Sequence, residues 1–96
     1  MENNVILHVT YTCKPGMAET FVKTIKENGL QQKVWAEDGC MQYDYTLSLE
    51  EPDTVVLLEK WRDGDALAAH MQQPHMETLK ELKSRFALDA VIERYE

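Results

Sequence analysis

The strongest constraint on the fold of this chain is the order in which two kinds of hydrophobic periodicity follow one another. Residues 41–49 alternate apolar and polar side chains, as expected of a strand with one buried face. Apolar stripes at helical spacing lie in two segments, 17–29 and 74–86. Residues typical of strands dominate three further segments: 5–12, 54–61 and 88–95. The order β-α-β-β-α-β predicts an α+β, ferredoxin-like fold with helices on one face of an antiparallel sheet.

Turn and cap residues separate these segments. Gly29 is a natural C-cap for the first helix, and residues 30–37 form a second, shorter helical piece. Asp63 is placed to cap a helix over 64–71, and Pro74 is placed to open the next helix, which ends near Phe86. The second crossover is therefore predicted to contain two helices.

Length and charge limit the class of protein. A chain of 96 residues without linkers or repeats is expected to form a single domain over 1–96, with a thin core. The net charge of −7 argues against nucleic acid as a partner. No apolar run approaches a membrane span, and Met1-Glu2-Asn3-Asn4 does not resemble a signal peptide. We therefore expect a cytoplasmic protein.

One face of the predicted sheet has no helices to cover it. In a small four-stranded domain, such a face favours a partner sheet, so we expect a homodimer. The two cysteines lie at opposite ends of the predicted sheet, Cys13 at the end of one strand and Cys40 at the start of another. They are therefore expected to stay as free thiols.

The segment 55–76 concentrates the side chains that could carry chemistry. It contains His70 at the end of one short helix and His75 at the start of the next, on either side of Pro74. The helix dipole favours the uncharged ring at His75, which could then accept a proton, and the charged ring at His70. Both histidines are candidates for the catalytic base. Each could equally be a structural cap. His8 lies on the first strand, where a structural role competes with one in substrate binding.

Strand periodicity places Glu59 and Trp61 on one face of the third strand. A carboxylate after inward apolar residues indicates either a structural hydrogen bond or a catalytic group. Trp61 is either a core residue or a wall against which a flat ligand stacks. Tyr43 shares a face with Tyr45 on the second strand, where the pair would line either the pocket or the dimer contact.

Other site classes find less support in the sequence. His70 and His75 would need a third ligand, and their five-residue step across a helix break is not a standard metal-ligand spacing. No Gly-rich phosphate loop and no nucleophile motif of the G-x-S-x-G type is present. Neither a metal nor a cofactor is therefore expected.

Several short motifs, in order along nearly the whole chain, resemble the antibiotic biosynthesis monooxygenase family, in particular its small quinol-monooxygenase-like members. They are Lys14-Pro15-Gly16, the segment 39–44 (GCMQYD), the segment 58–61 (LEKW) and the segment 69–76 (AHMQQPHM). The resemblance implies a dimeric α+β barrel with a cavity between sheet and helices in each subunit. It also implies oxidation of phenolic or quinol compounds by O₂ without flavin or metal. The haem-degrading relatives rely on an asparagine in the first strand, where this chain has His8 and Thr10.

The sequence thus predicts a cofactor-independent monooxygenase for a small aromatic, phenolic or quinol-like substrate. The candidate catalytic residues are His70, His75 and Glu59, and the candidate substrate-binding residues are Trp61, Tyr43 and His8. Two alternatives stay open at this point. One is a non-catalytic dimeric module for small ligands or stress physiology, and the other is an isomerase or tautomerase of a small carbonyl compound.

Overall fold

A computed structural model describes residues 3–96 of the chain. Four strands and four helices follow one another in the predicted order, so the α+β, ferredoxin-like fold is confirmed. Their bounds are β1 Val5–Cys13, α1 Ala18–Glu27, α2 Leu30–Trp35, β2 Cys40–Leu47, β3 Thr54–Trp61, α3 Gly64–Met71, α4 His75–Phe86 and β4 Ala87–Tyr95.

The four strands form one antiparallel sheet in the order β2-β3-β1-β4. Its register places residues from all four strands in rows across the sheet. One row joins Tyr43, Glu59, Leu7 and Arg94, so residues far apart in sequence share one level of the fold. The next rows continue along the same face through Val9 and then Tyr11 of β1, towards the start of β4.

The helices cover one face of the sheet, and the core lies between the two layers. Alternate residues of β1 and β3 point into it, as the period of two requires. Phe21 and Ile25 of α1 and Leu79 and Leu82 of α4 are buried against this face, at the helical spacing that the sequence predicted. The opposite face carries no helix. Strand β4 is exposed along almost its whole length on both faces.

The predicted caps of the second crossover are both present. The side chain of Asp63 accepts a hydrogen bond from the backbone N–H of Ala66 at 2.8 Å, which fixes the start of α3. Pro74 is the N-cap of α4, and because proline has no backbone N–H, it leaves no unpaired donor there.

The structure corrects the prediction in three places. Helix α2 ends at Trp35, two residues earlier than expected, because Ala36 and Glu37 bond back to the last turn and lead into the turn at Gly39. Strand β4 begins one residue earlier, at Ala87. The predicted inward side of β2 is wrong for Met41, which is 52% exposed, because a bulge between Cys40 and Gln42 shifts the alternation. It is also wrong for Leu47 and Leu49, which are 45% and 102% exposed, because β2 ends at Leu47 and not at residue 49.

Both cysteines are free, as predicted from their places at opposite ends of the sheet. No helix among the described residues is long and apolar enough to cross a membrane. The expectation about a signal peptide depends on Met1 and Glu2, which lie outside the described residues.

Candidate functional site

A cavity of about 300 Å³ lies between the sheet and the second crossover. Strands β1 and β4 form its floor, and helices α3 and α4 form its roof. Its walls are mainly apolar, contributed by Leu7, Val9, Leu67, Met71, Met76, Leu79, Ala90 and Ile92. Its polar groups are Tyr11, Tyr43, Glu59, His70, Lys83 and Arg94. An apolar cavity with a few convergent polar groups is the usual form of a small-molecule site.

His70 is the histidine that the structure places in the cavity wall. It lies in the last turn of α3 and is only 1% exposed. Its ring stacks against the indole of Trp61 with 4.4 Å between ring centres, and it meets the edge of Tyr43 at 5.7 Å. The aromatic neighbours therefore hold the imidazole plane in one orientation.

Glu37 is the partner that fixes the tautomer of His70. Its carboxylate oxygens lie 2.9 Å and 3.1 Å from Nδ1 of the ring. A carboxylate only accepts hydrogen bonds, so Nδ1 carries the proton and donates it. The other ring nitrogen, Nε2, is then left with a free lone pair beside Glu59, whose Oε1 lies 3.9 Å away. The arrangement leaves Nε2 without a hydrogen bond to the described residues.

Sequence reasoning did not find Glu37. It lies in the turn between α2 and β2, 33 residues before His70, where no periodicity gives its side chain a direction. The backbone of the turn fixes it, because the N–H of Glu37 bonds to the carbonyl of Val34 and the N–H of Cys40 bonds to the carbonyl of Glu37. In the sequence, Glu37 is marked only by its position two residues before the family-like motif at 39–44.

His75 joins the same carboxylate from the other side. Its Nε2 lies 2.7 Å from Oε2 of Glu37, and its side chain is 12% exposed in the first turn of α4. It does not line the cavity. The structure thus brings His70 and His75 together through Glu37, but it gives only His70 direct access to a bound molecule.

These three side chains are also the group among the described residues that could hold a metal ion. One ligand atom from each of Glu37, His70 and His75 lies within 4.8 Å of the others. The structure thus supplies the third ligand that the sequence prediction lacked. The same atoms already bond to one another, so an ion would have to replace those hydrogen bonds.

Glu59 lies beside His70 in the cavity wall and is nearly buried. Its Oε1 accepts a hydrogen bond from Nε1 of Trp61 at 3.0 Å. Burial raises the pKa of the Glu59 carboxyl, and the hydrogen bond from Trp61 and the nearby side chains of His70 and Lys83 offset part of that rise. The balance shifts Glu59 towards its neutral form, in which it can donate a hydrogen bond to a bound molecule.

Trp61 and Tyr43 occupy different places relative to the cavity. Trp61 is completely buried behind His70 and Glu59 and is not part of the cavity wall. Its contacts hold the two polar groups in place. Tyr43 does line the cavity, on the helix-facing side of β2, and its hydroxyl lies 3.0 Å from that of Tyr45. Burial raises the pKa of Tyr43 well above its usual range, so the phenol stays protonated.

His8 lies apart from the other predicted site residues. It is on β1, and its side chain is on the sheet face that has no helices, opposite the cavity. Its Nδ1 lies 3.5 Å from a carboxylate oxygen of Glu93 on β4, a spacing at the limit of a hydrogen bond, and makes no hydrogen bond to the described residues. The structure does not bring His8 to the candidate site.

The geometry defines a class of site. The buried carboxylate of Glu37 orients the imidazole of His70, which lines a mostly apolar cavity. Beside it, burial shifts the carboxyl of Glu59 towards its own neutral form. This arrangement is suited to removing a proton from a flat apolar molecule and to returning it. The fold and the site together are those of a small ferredoxin-like domain with a mainly apolar pocket, lined by His70 and Glu59, between sheet and helices.

The chain belongs to the antibiotic biosynthesis monooxygenase family, whose family model matches residues 4–82. A relative in Bacillus subtilis (strain 168), named "Putative monooxygenase YcnE", is 33% identical over 73 residues, which cover 76% of this chain and 75% of the relative.

Solved structures agree with the family assignment at the level of the fold. A protein of Pseudomonas aeruginosa superposes with a TM-score of 0.86 at 26% identity, over 99% of this chain and 94% of that chain. A Nitrosomonas europaea protein, titled "Putative antibiotic biosynthesis monooxygenase", superposes with a TM-score of 0.87 at 21% identity, over 99% and 90% of the two chains.

Proposed function

We propose that this domain oxidises a small phenolic or quinol-like substrate with O₂, using its own side chains rather than a bound cofactor. The observation that carries the proposal is the imidazole of His70, whose Nδ1 is held by Glu37 and whose Nε2 faces the cavity. Family membership supports the same class of reaction. The apolar walls suit a flat aromatic ring and O₂, which also prefers apolar surroundings.

The reaction starts with the removal of a proton. Nε2 of His70 takes the proton of the substrate hydroxyl, and the resulting phenolate gives one electron to O₂. The two radicals combine at a ring carbon, which forms a C–O bond to the peroxide. The O–O bond then breaks, and the distal oxygen leaves as water with the ring hydrogen and the proton held on His70. The products are a quinone and one water, which balance one phenol and one O₂.

Glu59 has a separate part in this scheme. In its neutral form it donates a hydrogen bond to the oxygen on which negative charge develops, while Trp61 holds its other oxygen in place. The raised pKa of Glu59 favours this form. Glu37 does not touch the substrate and acts as a positioning residue for His70.

Oxygen consumption with a panel of hydroquinones and naphthols, in buffer treated to remove metal ions, tests the proposal. We expect turnover by the native protein and a loss of about a hundredfold or more in His70→Ala. Lys23→Ala, an exposed change on α1, should retain full activity. Failure of the whole panel, or unchanged turnover in His70→Ala, refutes the proposed reaction.

A second candidate function rests on the closeness of a base and an acid. Nε2 of His70 and Oε1 of Glu59 are 3.9 Å apart in one cavity, so a proton could be taken from one atom of a carbonyl compound and returned to another. This isomerase or tautomerase reaction needs no O₂. Substrate turnover that continues under strictly anaerobic conditions would favour it over the monooxygenase.

We further propose that two copies pack through the sheet face without helices. That face carries Ile6, Val56 and Leu58, which are half-buried within one chain, and Val91 and Tyr95, which are exposed. Light scattering should give twice the 11.1 kDa of one chain at micromolar concentration, and Val91→Glu should lower that mass. A native mass of one chain would contradict this.

The two free cysteines agree with a reducing compartment, and we propose the cytoplasm.

A further inference from the structure

The cavity has two chemically different ends. His70 and Glu59 form one end, near the start of α4. The other end lies near the start of β4, where Tyr11, Lys83 and Ala90 meet. Leu7, which pairs with Glu59, and Tyr11 are four residues apart on β1, about 13 Å along the strand. A molecule that reaches both ends is therefore longer than a single aromatic ring.

Tyr11 brings an unused donor to the far end. The residue is 4% exposed, packs edge-on against Phe21 and lines the cavity. Its hydroxyl makes no hydrogen bond to the described residues. Burial raises the pKa of Tyr11 beyond its usual range, so the hydroxyl keeps its proton. A ligand oxygen in the cavity could accept a hydrogen bond from this hydroxyl.

Lys83 adds a positive charge beside this hydroxyl. It lines the cavity from α4, one turn after Leu79, and has no ion-pair partner within residues 3–96. The other cation in the wall, Arg94, is at the opposite end and pairs with Glu96 at 3.1 Å. Lys83 is also a nearby cation that lowers the pKa of the Glu59 carboxyl, against the larger rise from burial. In a chain of net charge −7, this is a local site of positive charge.

We propose that Tyr11 and Lys83 bind the carboxylate of an aromatic hydroxy acid, whose hydroxyl group lies at His70. The lysine supplies a charge-assisted hydrogen bond and the tyrosine a neutral one, so both carboxylate oxygens have donors. The length of the cavity fits two fused rings with the hydroxyl and the carboxylate at opposite ends. The inference rests on the proposed function in one respect, which is that the cavity is the substrate site.

Binding of a matched pair of ligands tests the subsite without requiring turnover. The pair is a naphthol with a carboxylate at the far end of its second ring, and the methyl ester of the same acid. Calorimetric titration of the native protein without O₂ should give about tenfold tighter binding of the acid than of the ester, since one charge-assisted bond has that order of effect. Raised salt should reduce the preference.

Two variants and one control locate the effect. Lys83→Met should weaken binding of the acid about tenfold and leave the ester unchanged, and Tyr11→Phe should weaken the acid by a smaller factor. Lys26→Met removes the same charge at an exposed position on α1, away from the cavity, and should leave the preference intact. Circular dichroism of each variant checks that the fold is retained.

Equal affinity for acid and ester in the native protein overturns the subsite, as does an acid preference that survives in Lys83→Met or is lost in Lys26→Met. These results are distinct from failure of the proposed reaction. An acid preference without O₂ consumption leaves the subsite standing and refutes the monooxygenase. Turnover of naphthols without an acid preference does the reverse.

Discussion

Replacing Glu37 by glutamine changes one atom of the buried site and reverses the tautomer that the site requires. The carboxylate accepts from Nδ1 of His70 at 2.9 Å and from Nε2 of His75 at 2.7 Å. A glutamine amide has one accepting oxygen and one donating nitrogen, so it can satisfy only one of the two imidazole N–H groups. Where its NH₂ group faces His70, Nδ1 must become the acceptor, and the proton moves to Nε2.

The magnitude follows from burial. The Glu37 side chain is only 8% exposed, so water cannot replace a lost partner. Losing one charge-assisted hydrogen bond and setting donor against donor should lower the free energy of unfolding by about 2–4 kcal/mol. With the proton on Nε2 there is no base in the cavity, and turnover should fall by about a hundredfold to ten-thousandfold.

Three measurements on Glu37→Gln examine this reasoning. Urea unfolding gives the stability change, oxygen consumption gives the activity, and ¹⁵N spectra of labelled histidine give the tautomer of His70 independently of activity. Asp38→Asn is the matched control, because this neighbouring carboxylate is exposed and pairs with Arg62 on the surface. The proposed role of Glu37 is refuted if Glu37→Gln keeps the Nδ1–H tautomer and native turnover, or if both variants lose equal stability.

Two further predictions concern a titrating group and a turn. Burial raises the pKa of Glu59, so the folded state binds the proton more tightly than the unfolded state. The free energy of unfolding should therefore fall as pH rises above about 4.3, the pKa of an unfolded glutamate, and should level off above the pKa of the folded protein. The melting temperature of Glu59→Gln minus that of the native protein should therefore increase as pH rises. A difference that does not change with pH would contradict this. Gly39 has φ +86°, and a Cβ there would lie 2.5 Å from that of Ala66, whereas Gly16 has φ +76° and open space around it. Both alanine variants should lose about 1–2 kcal/mol from backbone strain, and Gly39→Ala about 1–3 kcal/mol more from the clash, as urea midpoints would measure; equal losses would exclude the clash.

The order of the strands and helices, and their bounds to within about two residues, could be predicted because their signals are local. Strand β3 matches its predicted range, 54–61, because β-branched and apolar residues fill it and a turn precedes it. Met41 was misplaced because the bulge at the start of β2 comes from pairing with β3, which local alternation does not encode. The family resemblance gave the same fold from its motifs.

The site was only partly predictable, since its main contacts join distant segments. Periodicity placed Glu59 and Trp61 on one strand face, and it separated His70 from His75 into different helix ends. It could not show that Glu37 reaches both histidines, because a turn residue has no periodic direction. Nor could it show that Trp61 lies behind His70, since burial within a layer depends on how α3 packs over the sheet.

The length of the cavity has a consequence for how such a domain changes its substrate. At one end, Glu37 ties together the α2–β2 turn, α3 and α4, so a substitution there disturbs the fold and the reaction together. At the other end, Tyr11 and Lys83 hold no other element in place through their polar groups. We expect reactivity to be fixed at the first end, while the second end can accept new side chains and new substrates at little cost in stability.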